Sequence, residues 1–358
     1  MGVCSRPRLE ATVFNSLHIA RLLLSLALVA ALPCPVWADD EGKPRWHEPR
    51  DRQVDVSHMD LAVVLDFDKH AVAGTVTFTG TVTHDGATLL LQGHELTLET
   101  AHWLIKGAER PATWSSDGDN LSFTLPTATA GAAFTLRIRY RAQPDQGMYF
   151  QGPDSDDPKR PRHVWTQGET QQARHWLPCP DDPDERLTWT VTADVPAAMI
   201  VLSNGTPASD KVSAGRRVTR FTLDRPFPVY LLSLVAGPFR EAVHPHPRVR
   251  LSTWGFAGDE AQLQRTGRDL PAMVDLFDKL TGQPYPFARY GQVFVDEFGW
   301  GGMENITLTT LALRRLGDKR TDRDRTSEGL VAHELAHQWF GDLLTCRTWA
   351  DIWLNEGF

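Results

Sequence analysis

Between residues 54 and 240 the hydrophobic and polar positions alternate with a period of two. Val76, Phe78 and Val82 are interleaved with Thr75, Thr77, Thr79, Thr81 and Thr83, and Phe134, Leu136, Ile138 and Tyr140 with Thr135, Arg137, Arg139 and Arg141. Leu187, Trp189 and Val191 alternate in the same way with Thr188, Thr190 and Thr192. Successive side chains of a strand point to opposite faces, so each run predicts a strand with one buried and one wet face, as in antiparallel sheets. Gly, Pro, Asp and Asn clusters separate the runs and no long helical pattern interrupts them, which predicts an all-β domain. The period changes after the proline-rich stretch His244–Pro247. Leu270, Met273, Val274 and Phe277 then fall at helical spacing, ending near Thr281 and Gly282, with Pro271 marking a kink or a fresh helix start. Strand-like pieces follow around Gln292–Asp296 and Asn305–Leu311. The charge-crowded segment Arg314–Arg325 reads as a solvated loop, and Thr326 or Ser327 is placed to cap a last helix through the apolar stretch Val331–Phe340. No internal repeat or low-complexity tract is present.

The first 38 residues follow a different logic. Arg6, Arg8 and Arg21 precede an apolar run from Leu22 to Leu32, and Val36-Trp37-Ala38 offers a small-residue cleavage site before Asp39. That order is the pattern of a secretory signal peptide, residues 1–38, and predicts a secreted or periplasmic protein, with an uncleaved membrane anchor as the alternative. Eleven helical residues rise only about 16 Å against a hydrocarbon core of about 30 Å, so no stable membrane span is expected.

Length and composition narrow the class further. The chain has 358 residues, of which 41% are hydrophobic, 23% charged and 9% aromatic, enough for two domains with real cores and close to globular averages. The domains expected are 39–241 and 242–358. The formal charge is −8, and removing the signal segment, with three arginines against Glu10, makes it −10. An acidic body argues against nucleic acid or an anionic membrane surface as the main partner. Of four cysteines only Cys179 and Cys346 lie beyond the signal segment, too far apart in sequence for a metal motif or a disulfide framework, and both read as packing residues.

The sharpest chemical signal is His333-Glu334-Leu335-Ala336-His337. On a helix, residues i and i+4 share a face, so both imidazoles can converge on one ion, and Glu334 is placed to take a proton from water at that ion. Such a pentapeptide arises by chance in about 2% of chains of this composition. Two features reduce that chance. Two histidines and a glutamate would be costly to bury in an apolar helix without partners, and Glu356 supplies a third, acidic ligand with 18 residues between it and His337. Two His and one Glu leave a fourth position open, the arrangement of a catalytic zinc, and one Zn2+ per chain is expected. Phe340 and Leu343 occupy the positions where a metzincin needs Gly and His, which excludes that subclass.

With these residues in place the sequence resembles the aminopeptidase N family of zinc gluzincins. Gly301-Gly302-Met303-Glu304-Asn305 matches that family's exopeptidase motif about 28 residues before the zinc motif, whose own spacing matches too. Thr166-Gln167-Gly168-Glu169, running into Ala173-Arg174 and Leu177–Asp181, is similar to the signature of its N-terminal β domain. The resemblance covers roughly residues 50–358. It implies an α+β multidomain fold, with an N-terminal antiparallel all-β domain followed by the first part of a thermolysin-like α/β catalytic domain. It also implies removal of N-terminal residues from peptides with a free amine. Glu304 would meet the cationic α-amine, and an internal peptide bond, having no such cation, would leave a desolvated carboxylate unpaired. Gly301 and Gly302 would leave room for an extended substrate against a strand edge. Glu169 would be the second carboxylate on the amine and Gln167 would line the first side-chain pocket, while Trp300 and Met303 fit either pocket or core. Arg174 and Asp181 read as a scaffold ion pair, and His163 and His175, without ligand-spaced partners, as structural.

The sequence departs from the family in its extent. Family members continue through a helical remainder that carries an oxyanion-stabilising tyrosine, and here Phe358 follows the third ligand by two residues, so a fragment of an aminopeptidase is the expectation. Two other functions compete with peptide hydrolysis: a catalytically inactive peptide-binding scaffold, and hydrolysis of epoxides as in the leukotriene branch of the family.

Overall fold

The alternating runs become strands whose apolar members all turn inward. In a computed structural model, which describes residues 52–318, 320 and 326–357, the strand Ala71–Val82 buries Val72, Val76, Phe78 and Val82 and leaves its threonines at the surface. It pairs antiparallel with Val54–Asp66, placing Phe78 opposite Met59 and Val76 opposite Leu61, and with Ala133–Ala142, placing Phe78 opposite Leu136. These pairs belong to an eight-stranded sheet, antiparallel except where Val54–Asp66 runs parallel to Leu187–Pro196. That one departure from an antiparallel domain is open to the chain because more than a hundred residues connect the two strands, far more than a parallel crossover needs. A three-stranded and a four-stranded sheet complete this part, and their apolar faces share one core that contains Trp165, Trp176 and Trp189. The signal segment expected at 1–38 lies outside the described residues. No described helix is long and apolar enough to cross a membrane.

Local chemistry holds the loop of the 166–181 block. Arg174 donates from Nε to Asp181 Oδ2 at 2.9 Å, and Asp181 is fully buried, so the scaffold pair expected from sequence is formed. Gln92 accepts the Asp181 N–H at 2.8 Å and exchanges backbone bonds with Cys179. Cys179 and Cys346 are both buried free thiols. Removing one member of a buried pair strands the other, so Arg174→Ala is expected to cost about 3–5 kcal/mol of stability, read as a lower urea midpoint.

Every strand from Arg240 onward joins a five-stranded sheet in the order Arg240–His244, Arg250–Gly255, Arg289–Val295, Leu308–Ala312 and Gly302–Met303. The two central pairings are parallel. One face, with Val293, Val295 and Leu308, joins the core of the β sheets. The other, with Leu251, Tyr290, Phe294 and Leu311, forms a second core with Leu263, Leu270, Val274, Val331 and Leu335 from three helices. Burial on both faces explains why Val293-Phe294-Val295 is a continuous apolar run rather than an alternating one.

The three helices packed into this second core are Glu260–Thr266, Leu270–Thr281 and Glu328–Ala336. Pro271 lies in the first turn of the second, where its missing N–H costs nothing, and Gly282 ends it at φ 68°. Two expectations change. Ser327 occupies the N-cap position of the third helix, yet its hydroxyl donates to the Arg315 carbonyl and makes no capping bond. Arg314 is exposed as expected, but it lies in the 3-10 turn Leu313–Arg315 rather than a loop, and its guanidinium donates to the carbonyls of Phe298, Gly299 and Trp300, bracing the loop that leads into Gly301.

Candidate metal centre

The helix Glu328–Ala336 turns His333 and His337 toward one point. Hydrogen bonds beyond Ala336 shorten to the i→i−3 pattern at Gln338 and Trp339, so the helix stops four residues short of the Phe340 expected from its apolar pattern, and His337 caps it. Gly341, at φ 121°, closes the turn with a backbone conformation that side chains rarely adopt. His337 Nδ1 donates to the Phe340 carbonyl at 2.9 Å, which fixes the tautomer and leaves Nε2 to face the site.

The third donor arrives on a separate element. Glu356 ends the short helix Trp353–Glu356, and its neighbour Asn355 is buried, donating to the Tyr230 hydroxyl at 3.2 Å and accepting from the Cys346 N–H at 2.9 Å. That tie sets Glu356 Oε2 3.5 Å from His333 Nε2 and 3.6 Å from His337 Nε2, with 3.1 Å between the two nitrogens. A tetrahedral zinc with bonds of about 2.0–2.1 Å has ligand–ligand edges of about 3.3–3.4 Å. The two rings and the carboxylate therefore fit three corners of one zinc site. The charge fits as well. Burial opposes a charge on His337, but the Glu356 hydrogen bond and the carboxylates of Glu304 and Glu334 lift its imidazole to about 10, and the two histidines hold the Glu356 carboxyl down to about 2. The carboxylates around this point call for a cation.

Glu334 is 3% exposed, and burial, reinforced by Glu304, pushes its carboxyl well above the ordinary range. Its carboxylate lies over Gly302, where an added Cβ would come within 2.1 Å of Oε1. Gly302 and Met303 form the edge strand of the sheet, and Gly301 accepts the Ala312 N–H at 3.0 Å. Met303 turns its side chain into the core, and Asn305 is buried with its Oδ1 taken by the Thr310 hydroxyl at 2.9 Å. Trp300 is partly open to solvent. Glu304 is buried and its Oε1 has no hydrogen-bond partner among the described residues. Glu169, half-buried, brings its carboxylate within 4.8 Å of those of Glu304 and Glu356. Burial and those two neighbours raise it to about 8. Gln167, two residues before it, is buried with an Oε1 that lacks a partner among the described residues. His163 is a satisfied core residue, bonded to the Pro161 carbonyl and the Asp296 N–H, and His175 lies against His94.

Gln338 is the residue of the site that sequence reading missed. Its amide nitrogen donates to the Glu304 carbonyl at 3.0 Å and to Asp342 Oδ2 at 2.8 Å, and its oxygen accepts the Thr307 N–H at 2.9 Å. It clamps the metal-binding turn to the loop that carries Glu304. The available signal was a polar pair at i and i+4, Gln338 and Asp342, inside an otherwise apolar segment. Gln338→Leu leaves three buried groups unpaired at about 1–3 kcal/mol each. A loss of several kcal/mol in urea unfolding is the expected result.

A helix-borne pair of histidines with a downstream glutamate, set on a mixed sheet behind a β domain, defines a gluzincin-type zinc hydrolase architecture. The comparisons identify the family. Residues 55–231 match the Peptidase M1 N-terminal domain and residues 268–358 the Peptidase family M1 domain. Aminopeptidase B of Rattus norvegicus is 30% identical over 252 residues, covering 68% of this chain and 36% of that protein. Leukotriene A-4 hydrolase of Xenopus laevis is 28% identical over 318 residues, covering 84% and 50%. The crystal structure of the M1 zinc metallopeptidase from Deinococcus radiodurans superposes with a TM-score of 0.72 at 26% identity, covering 87% of this chain and 70% of that one. The chain belongs to the M1 family of zinc metallopeptidases, the aminopeptidase N family. It spans half or less of the length of these curated relatives.

Proposed function

We propose that this chain carries the zinc centre and the amine-reading carboxylates of an aminopeptidase that removes N-terminal residues from peptides. The observation that supports it most is the adjacency of the His333, His337 and Glu356 donors to the buried, unpartnered Glu304 carboxylate. His333, His337 and Glu356 would hold one zinc ion, which when bound supplies a Lewis acid and lowers the pKa of water. Glu334 is the proton carrier: burial raises its affinity for a proton, which suits a group that takes one from water and returns it to the leaving amine. Glu304 and Glu169 hold the substrate's ammonium and so fix the peptide's register, and a blocked N-terminus leaves both carboxylates buried without a partner. Gln338 keeps Glu304 in step with the metal-binding turn. A variant of the Deinococcus radiodurans metallopeptidase has been crystallised with a Tyr-Ser-Ala substrate, which supports peptides as the substrate class. The signal pattern of residues 1–38 supports export from the cytoplasm, with an uncleaved anchor as the alternative; N-terminal sequencing that finds a mature product starting at Asp39 would favour the cleaved form.

The test is a paired assay on the purified protein with zinc measured in the same sample. Cleavage of leucine-anilide but not of its N-acetyl derivative, at one zinc per chain, is the expected result. Equal cleavage of both would remove Glu304 and Glu169 from amine recognition. Stoichiometric zinc with no hydrolysis of either would favour a peptide-binding scaffold.

A further inference from the structure

Glu356 is shared between two clusters. Besides its place with His333 and His337, it forms a second group with Glu169 and Glu304, in which one carboxylate oxygen from each lies within 4.8 Å of the others. We propose that these three carboxylates form a second divalent-cation seat beside the zinc, and that a cation there competes with the substrate's α-amine. This rests on the amine-reading role given to Glu169 and Glu304 above and adds a metal-dependent control of that same subsite.

Two observations carry it. Glu304 is only 3% exposed, one of its carboxylate oxygens belongs to this group, and its Oε1 has no hydrogen-bond partner among the described residues. An isolated buried carboxylate oxygen is costly, and a cation is the most effective group to satisfy it. The second observation is charge. Glu169, Glu304, Glu334 and Glu356 bring four carboxyl groups together, and a divalent ion seated among them would favour their ionised forms more than a monovalent peptide ammonium does. Among the described residues the ion pairs recorded for these four carboxylates are those of Glu356 with His333 and His337, so no arginine or lysine supplies that charge. The donors are oxygens only, which suits Ca2+ or Mn2+, and separations of at most 4.8 Å fit within the span of one coordination shell. At bonds of 2.3–2.6 Å such ions accept carboxylate oxygens about 3.3 Å apart when adjacent and about 4.8 Å when opposite.

The experiment uses the full chain loaded with one zinc and freed of excess metal. Mn2+ is titrated in, and the free ion is followed by electron paramagnetic resonance. One Mn2+ is expected to bind per chain, with zinc content unchanged. Glu304→Gln and Glu169→Gln, each checked for retained zinc and an unchanged circular dichroism spectrum, are expected to weaken Mn2+ by about tenfold or more. L-leucinamide is expected to release bound Mn2+ in proportion to its own occupancy. No Mn2+ binding to a protein that holds zinc and binds leucinamide would overturn the second seat and leave the aminopeptidase reading standing. Mn2+ binding that survives both substitutions, or that leucinamide does not displace, would place the ion elsewhere and overturn it equally. Loss of the zinc itself from the wild-type chain would instead break the underlying reading of the site.

Discussion

Glu334→Gln is expected to keep one zinc per chain and to lower the turnover of an aminoacyl-anilide by at least about 10²-fold, the usual size of a general-base contribution. The amide has nearly the shape of the carboxylate, so it fills the same place over Gly302. It cannot take a proton from water, and that is the property lost. Stability is expected to move the other way. Burial and the neighbouring Glu304 raise the Glu334 carboxyl well above its ordinary range, so an ionised Glu334 is held at a cost that a neutral amide avoids. The urea midpoint should therefore stay level or rise while turnover falls. Near-normal hydrolysis by the variant would remove Glu334 from proton transfer. A fall in midpoint together with lost zinc would make its role structural.

Much of this site was legible because its signals are local. The i, i+4 spacing of His333 and His337 on a helix dictates a shared face whatever the rest of the chain does. The period-two runs fix which side chains are buried, and Met59, Val76, Phe78 and Leu136 all face inward as their alternation requires. What sequence did not disclose depends on partners remote along the chain. Gln338 reads as an unremarkable polar residue in an apolar stretch until the fold brings the Glu304 carbonyl, 34 residues earlier, to its amide. Asn355 gains meaning only from the Tyr230 hydroxyl, 125 residues away in the β part. Arg314 is exposed, as its charged run suggests, but the run does not disclose that its guanidinium gathers three carbonyls of the turn into Gly301. The early end of the zinc helix follows the same rule. Composition favoured helix through Phe340, and the positive φ of Gly341 together with the Asp342 N–H bond to the His337 carbonyl closed it sooner.

Removing the metal is expected to separate the two histidines by what else each one does. Zinc binding to the folded chain alone stabilises it by about 4 kcal/mol when free zinc is a thousandfold above Kd. A chelator should accordingly lower the melting temperature of the wild-type protein by several degrees. His333→Ala, His337→Ala and Glu356→Ala each delete one of the three donors and should abolish that chelator-sensitive shift. Their melting temperatures without metal should differ. His333 is 46% exposed at its side chain, and its hydrogen-bonding and ionic partners are His337 and Glu356, so His333→Ala should melt like the chelated wild type. His337 is 4% exposed and also donates to the Phe340 carbonyl, which holds the tight turn after Ala336. Deleting its ring leaves a cavity and an unpaired carbonyl, so His337→Ala should fall below the chelated wild type by a further ~2 kcal/mol or more. Equal melting of the two variants would show that His337 contributes nothing beyond metal binding. A chelator that moves neither the wild-type melting temperature nor its zinc content would show that the three donors hold no metal.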